Sequence, residues 1–190
     1  MIRCFVALDL PATVQQALAE FQKDLQSIRA PVAWIKPDKV HVTLKFLGDV
    51  TPEQVTALQT AMLRVAARSA PFTLQPASCG AFPTLKQMRV IWVGLQGDME
   101  QVHTLHHNVE QELLTLGFAP EDRPYRAHLT LGRVKGRSHL YQLQQALLQY
   151  QDFHAEAFDV SEVVLYKSEL RPEGARYTAL FRAPFTGRSA

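Results

Sequence analysis

His41-Val42-Thr43-Leu44 occurs a second time, 87 residues on, as His128-Leu129-Thr130-Leu131. On a strand, successive side chains point to opposite faces, so residues two apart share a face. In each copy the His and Thr therefore face one way, and the two aliphatic residues face the other, into a core. Each copy lies in a β-rich run. The chain is thus expected to hold two strands that present the same polar pair to one shared cleft. Two imidazoles facing across a cleft can move two protons in one displacement. One accepts from the attacking oxygen and the other donates to the leaving oxygen.

The flanks keep the same offset. Phe5, in Phe5-Val6-Ala7-Leu8, precedes His41 by 36 residues, and Trp92, in Ile91-Trp92-Val93-Gly94-Leu95, precedes His128 by 36. Thr51 and Ser138 are again 87 apart, each where a helix is expected to be capped. Each half reads as strand, helix, His-x-Thr strand, helix and further strands. The pattern implies an internal duplication, with halves near 1–88 and 89–190, and no low-complexity linker divides them. The expected fold is α+β, a single bilobal domain over 1–190. It has two pseudo-symmetric lobes with largely antiparallel sheets, helices on the outside and an active-site cleft between the lobes.

In chain order, residues 2–9 read as a strand, and Val14, Leu18, Phe21, Leu25 and Ile28 form one helical stripe. Residues 40–47 are the first motif strand, ended by Gly48-Asp49. Thr51-Pro52-Glu53-Gln54 combines an N-cap, a first-turn proline and a capping-box glutamine. Residues 72–79 read as a strand and 80–87 as a loop rich in turn formers. The second half opens with a strand at 89–95, then a helix at 98–116 closed by Gly117. The second motif strand spans 127–134, and Leu140, Leu143, Leu147 and Tyr150 mark a further helix. Three closing strands are predicted near 153–158, 160–168 and 176–184.

The totals narrow the function classes. With 190 residues, 47% hydrophobic and 20% charged, the chain has the composition of a soluble globular protein with a substantial core. A net charge of +2 suits a small anionic ligand and argues against a protein that coats duplex nucleic acid. Cys4 and Cys79 are too few for a disulfide framework or a zinc cluster, and fit free thiols in a reducing cytoplasm. No signal peptide and no apolar run of about 20 residues is visible, so no membrane partner is expected. The protein is read as a cytoplasmic monomer.

Several stretches together resemble a known family. They are Arg3-Cys4-Phe5-Val6-Ala7-Leu8, Trp34-Ile35-Lys36-Pro37 and the run from His41-Val42-Thr43-Leu44 through Lys45-Phe46-Leu47-Gly48. They continue with His128-Leu129-Thr130-Leu131-Gly132-Arg133, Tyr166-Lys167-Ser168 and Gly174-Ala175-Arg176-Tyr177. Over nearly its whole length the chain resembles the two-histidine (2H) phosphoesterases. Within them it is most similar to the LigT-like RNA 2′,3′-cyclic phosphodiesterases, also called 2′-5′ RNA ligases. It departs at Ala127, where the family often has proline. The resemblance implies hydrolysis of a 2′,3′-cyclic phosphate to a 2′-phosphomonoester without cofactor or metal. His41 would be the proton donor and His128 the acceptor. Thr43 and Thr130 would hold phosphate oxygens, and Arg133 would add a charge-assisted contact. The substrate would be an RNA or oligonucleotide with a 2′,3′-cyclic phosphate end, or a small cyclic nucleotide.

The residues alone leave the acid and base roles open, because an unperturbed imidazole titrates near ~6.5. Needing one histidine charged and one neutral gives a rate that falls on both sides of a neutral optimum. Arg133, five residues beyond His128, has the wrong parity for that face unless Gly132 permits a bulge. Lys45 is the parity-matched cation. Phe46 is off-parity, a candidate to stack on a base or a core aromatic. Arg123, Arg126, Arg133, Lys135 and Arg137 cluster around the second motif as a landing strip for an RNA backbone. His103 and His107 have metal-ligand spacing on a helix but lack a third ligand in the pattern. The alternatives are reversible 2′-5′ RNA ligation, another substrate such as a 2′-5′ oligonucleotide or ADP-ribose cyclic phosphate, and a non-catalytic RNA-end-binding module.

Overall fold

Strand, helix, strand and helix recur in each half, and the computed structural model describes residues 1–172 and 174–188. The first half comprises β1 (Ile2–Leu8), α1 (Ala12–Gln26), β2 (Val32–Trp34), β3 (Val42–Val50), α2 (Pro52–Ala67) and β4 (Phe72–Thr84). The second comprises β5 (Gln87–Gly97), α3 (Met99–Leu114), β6 (His128–Val134), α4 (Leu140–Gln149), β7 (Phe158–Val160), β8 (Glu162–Arg171) and β9 (Gly174–Pro184). The helices form where apolar residues recur at helical spacing. Val14, Leu18, Phe21 and Leu25 on α1, and Val102, Leu105, Val109 and Leu113 on α3, are all buried. Thr51 opens α2 with the predicted capping box: its hydroxyl accepts from the Gln54 N–H at 3.3 Å, and its own N–H donates to Gln54 Oε1 at 2.8 Å.

All strand pairs are antiparallel, and the strands make one curled sheet in the order β7-β4-β5-β6-β3-β1-β8-β9, with β2 added to β6. The two motif strands, β6 and β3, are neighbours at its centre. Outward from them the order is β5 then β4 on one side, and β1 then β8 on the other. The first long strand after the second helix of each half has therefore crossed over: β4 pairs with β5 of the second half, and β8 with β1 of the first. Each lobe is built from strands of both halves. The helices lie outside and bury the aliphatic face of the sheet. On that face Val42, Leu44, Leu129 and Leu131 are at most 2% exposed.

Four local expectations are corrected. Residues 80–87 are not a loop, because β4 and β5 run as a ladder from Leu74↔Gly97 to Thr84↔Gln87, leaving a two-residue turn. Gly80 is there for close approach: a Cβ at this position would lie 2.5 Å from the Trp92 ring. Gly48-Asp49 does not end β3. Gly48, at φ +72, pairs with Cys4 beyond an irregularity, and the strand continues to Val50. Ser138 does not cap α4, whose N-cap is His139 in the left-handed region with no side-chain cap. Residues 153–157 contribute only a bridge, Ala77↔His154, and the strand begins at Phe158.

Candidate active site

β3 and β6 share one register pair, Val42↔Leu129, and then part. Extending that antiparallel register by one residue each way sets His41 opposite Thr130 and Thr43 opposite His128. The two histidines are thus on one diagonal and the two threonines on the other. Each imidazole is fixed in the same way. Nδ1 of His41 lies 2.9 Å from the Lys39 carbonyl, and Nδ1 of His128 lies 2.7 Å from the Arg126 carbonyl, two residues back in both cases. A carbonyl only accepts, so Nδ1 carries the proton and Nε2 is left as the nitrogen that exchanges protons.

Both motif strands break their ladder at the same place. On β3, Thr43 pairs with Ala7 and Lys45 with Val6, so Leu44 is an extra residue. On β6, Thr130 pairs with Trp92 and Gly132 with Ile91, so Leu131 is the extra residue. These positions are again 87 apart. A bulge of this kind reverses the alternation beyond it. Phe46 and Arg133 are therefore turned onto the His-Thr face, and Lys45 and Gly132 away from it. The Leu131 carbonyl accepts from the Ile35 N–H at 2.8 Å and from buried Gln22 Nε2 at 3.0 Å. β2 closes against the bulge where a Cβ on Gly132 would meet Val32 Cγ1 at 2.6 Å.

The expectation for Lys45 is corrected by this geometry. It is 3% exposed, on the core side of β3, and donates to both Glu110 oxygens at 2.8 Å. Parity counting assumes an unbroken ladder. Arg133 reaches the site face by the bulge envisaged for it, one residue before Gly132. Phe46 is 58% exposed, which excludes its reading as a core aromatic.

A cavity of about 690 Å³ opens over this face, with His41, Thr43, Thr130, Arg133, Phe46 and Tyr177 among its lining residues. His128 lies just outside that lining, on the strand position opposite Thr43. Arg3, Lys36, Lys39 and Lys135 also line it, with Asp49 as the acidic member. Of the basic cluster predicted around the second motif, Arg133 and Lys135 reach the cavity, and Arg126 serves through its carbonyl. Arg123 and Arg137 do not line it. Among the described residues no group of three His, Cys, Asp or Glu is placed to hold a metal, and His103 and His107 gain no third ligand.

The family model described as LigT like Phosphoesterase matches twice, over residues 8–92 and 93–177. The chain belongs to the LigT-like phosphoesterase family. It is 33% identical to an RNA 2′,3′-cyclic phosphodiesterase of Methanothermobacter thermautotrophicus, over 93% of this chain and 95% of the relative. It is 29% identical to a protein of the same name from Methanocaldococcus jannaschii, over 94% and 98%. Among solved structures, a Thermus thermophilus protein superposes with a TM-score of 0.83 at 25% identity, covering 99% of this chain and 100% of that one. E. coli LigT complexed with 3′-AMP superposes with a TM-score of 0.78 at 25% identity, covering 97% and 98%.

The two histidines of this LigT-like phosphoesterase sit in different surroundings. His41 stacks on Phe5, with ring centroids 4.7 Å apart, and meets Tyr177 edge-on at 5.3 Å. His128 meets Phe82 edge-on at 5.0 Å. Burial holds both imidazoles below their ordinary range, and in both the backbone carbonyl at Nδ1 pulls the other way. The remaining influence differs in sign. The Asp9 carboxylate favours charged His41, whereas the Arg133 guanidinium disfavours charged His128. Asp9 is held by the Tyr166 hydroxyl and by Arg182. Tyr166, Tyr177, Lys36 and Arg3 lie within the stretches that carry the family resemblance. Asp9 has no sequence signal beyond ending a strand.

Proposed function

We propose that the protein hydrolyses RNA or nucleotide 2′,3′-cyclic phosphates to 2′-phosphomonoesters by metal-independent two-histidine acid–base catalysis. The observation that carries this reading is the diagonal pair of His-Thr couples, each imidazole pinned through Nδ1 so that Nε2 is free. His128 Nε2 takes a proton from water, whose oxygen attacks phosphorus. His41 Nε2 gives its proton to the departing 3′ oxygen. The Thr43 and Thr130 hydroxyls and the Arg133 guanidinium hold the non-bridging oxygens as negative charge builds on them. Asp9 beside His41 and Arg133 beside His128 bias the pair towards a charged acid and a neutral base, which supports this assignment over its reverse.

The cation-lined cavity supports an RNA end as the occupant, with Arg3, Lys36 and Lys135 placed to meet backbone phosphates and exposed Phe46 to stack on a base. The E. coli LigT complex with 3′-AMP supports a nucleotide as the ligand. A cytoplasmic setting is supported by Cys4 and Cys79, both buried and free. No helix among the described residues is long and apolar enough to cross a membrane.

The test is turnover of a 2′,3′-cyclic-ended RNA, with end-group analysis of the product. A 2′-phosphate end is expected, and a 3′-phosphate end would reverse the assigned leaving group. Activity is expected to survive chelation by EDTA. Loss of turnover that a divalent ion restores would rule out a reaction run by imidazoles alone.

Each threonine hydroxyl contributes one hydrogen bond to a charged oxygen, worth about 1.5–3 kcal/mol. Thr43→Ala and Thr130→Ala are therefore expected to lower kcat/KM by roughly 10- to 150-fold. A folded threonine variant as inactive as a histidine variant would show the roles to be misassigned.

A further inference from the structure

β3 and β6 are held to each other by one ladder position, yet the reaction needs their side chains in fixed relative places. The segment that leads into β6 supplies further ties. The Tyr125 hydroxyl donates to the Thr43 carbonyl at 3.1 Å, and the next residue, Arg126, offers the carbonyl that holds His128 Nδ1 at 2.7 Å. Two consecutive residues thus each grip one member of a different motif.

Tyr125 is itself braced. Its ring lies flat on His106 of α3, with centroids 3.9 Å apart and planes 7° apart. One turn along α3, Glu110 takes Lys45 Nζ on both oxygens at 2.8 Å, and Lys45 also donates to the Ala119 carbonyl at 2.8 Å. The contacts close a ring from β3 through Lys45 to Glu110 and His106 on α3. From there it runs to Tyr125 and Ala119 in the connecting segment, and back to β3 at Thr43. Lys45 is 3% exposed and Glu110 9%, so the ion pair within the ring is shielded from solvent. A buried ion pair is seldom a large source of stability, but it fixes geometry, because misalignment leaves a charge unpaired.

We infer that Tyr125 is a positioning residue that sets the Thr43 hydroxyl relative to His128. The inference rests on the reading of Thr43 as a phosphate-binding group. Burial keeps the phenol in its protonated, donating form, in line with that role.

The test is a double-mutant cycle on kcat/KM with a 2′,3′-cyclic-ended RNA, and melting temperatures show that each variant is folded. Tyr125→Phe keeps the ring on His106 and removes only the hydroxyl. A single neutral hydrogen bond predicts a loss of about 2- to 13-fold in the wild-type background. Thr43→Val removes the hydroxyl on which Tyr125 is inferred to act. In that background Tyr125→Phe is expected to change kcat/KM by less than about twofold, because two groups acting through one contact are not additive. Tyr125→Leu repeats the cycle with the ring gone, and the same non-additivity is expected although its melting temperature falls. Losses that simply multiply would overturn the inference while leaving Thr43 in the site. A fully active Thr43→Val enzyme would overturn the reading of Thr43, and this inference with it.

Discussion

Replacing either His41 or His128 by alanine is expected to lower kcat/KM by about 10²- to 10⁴-fold, the range a positioned general acid or base contributes. The two variants should then separate on a substrate whose leaving group needs no proton. A nitrophenyl ester of the nucleotide departs as the phenolate, so the acid becomes dispensable while the base does not. His41→Ala is expected to recover most of its loss on that substrate, and His128→Ala to recover little. Each histidine is seated by one backbone carbonyl and its aromatic neighbours, so loss of the ring leaves the strand ladders around it intact. The measurement is kcat/KM for both variants on both substrates. Recovery in the opposite order would exchange acid and base, and recovery by neither would remove acid–base catalysis from this pair.

The second large effect is in pH. The base must be neutral, so activity falls as pH drops below the His128 value. The acid must be charged, so activity falls as pH rises above the His41 value. Past either limb the rate is expected to change about tenfold per pH unit. Burial lowers both histidines below the ordinary value of about 6.5, so the kcat/KM profile of the free enzyme should peak on the acid side of 6.5. That revises the neutral optimum expected from unperturbed imidazoles. A bound phosphate anion favours both charged forms, so the limbs of kcat should lie above those of kcat/KM. The limbs belong to the coupled pair, and substitutions identify which neighbour tunes which. Asp9→Asn removes a charge that favours imidazolium at His41 and should move the alkaline limb to lower pH, narrowing the bell. Arg133→Met, by removing a charge that disfavours imidazolium at His128, should move the acid limb to higher pH. An Asp9→Asn enzyme that moves only its acid limb would reverse the assignment.

The His-x-Thr strands are legible in the sequence because a period of two puts both polar residues on one face, and duplication marks the pattern as more than chance. The capping box at Thr51 and the apolar stripes of α1 and α3 are legible for the same local reason. What parity counting misses is the bulge at Leu44, whereas Gly132 allows for its counterpart at Leu131. A buried leucine in a bulge looks like any strand leucine, and yet it exchanges the fates of Lys45 and Phe46. Gly80 and Pro83 suggest a turn, although a glycine also serves where an indole lies against the backbone. Tyr125 sits in a charged segment without periodicity, and its partner is 82 residues away. Local pattern names neither end of such a contact, nor which strand will accept β4 or β8.

That exchange of strands bears on how the polypeptide comes into being on the ribosome. β1 is synthesised well before β8, and β3 can cover only one of its edges. The other edge waits for β8, whose Val164–Lys167 stretch is made roughly 160 residues later. Pairing across so long a separation closes a large loop late and at an entropic cost. Throughout that interval the nascent first half exposes an apolar strand edge, the kind of surface on which unfinished chains join one another. The site forms at the centre of the finished sheet, so neither half carries a working copy of it. Each half takes a strand from the other to complete its part of the sheet.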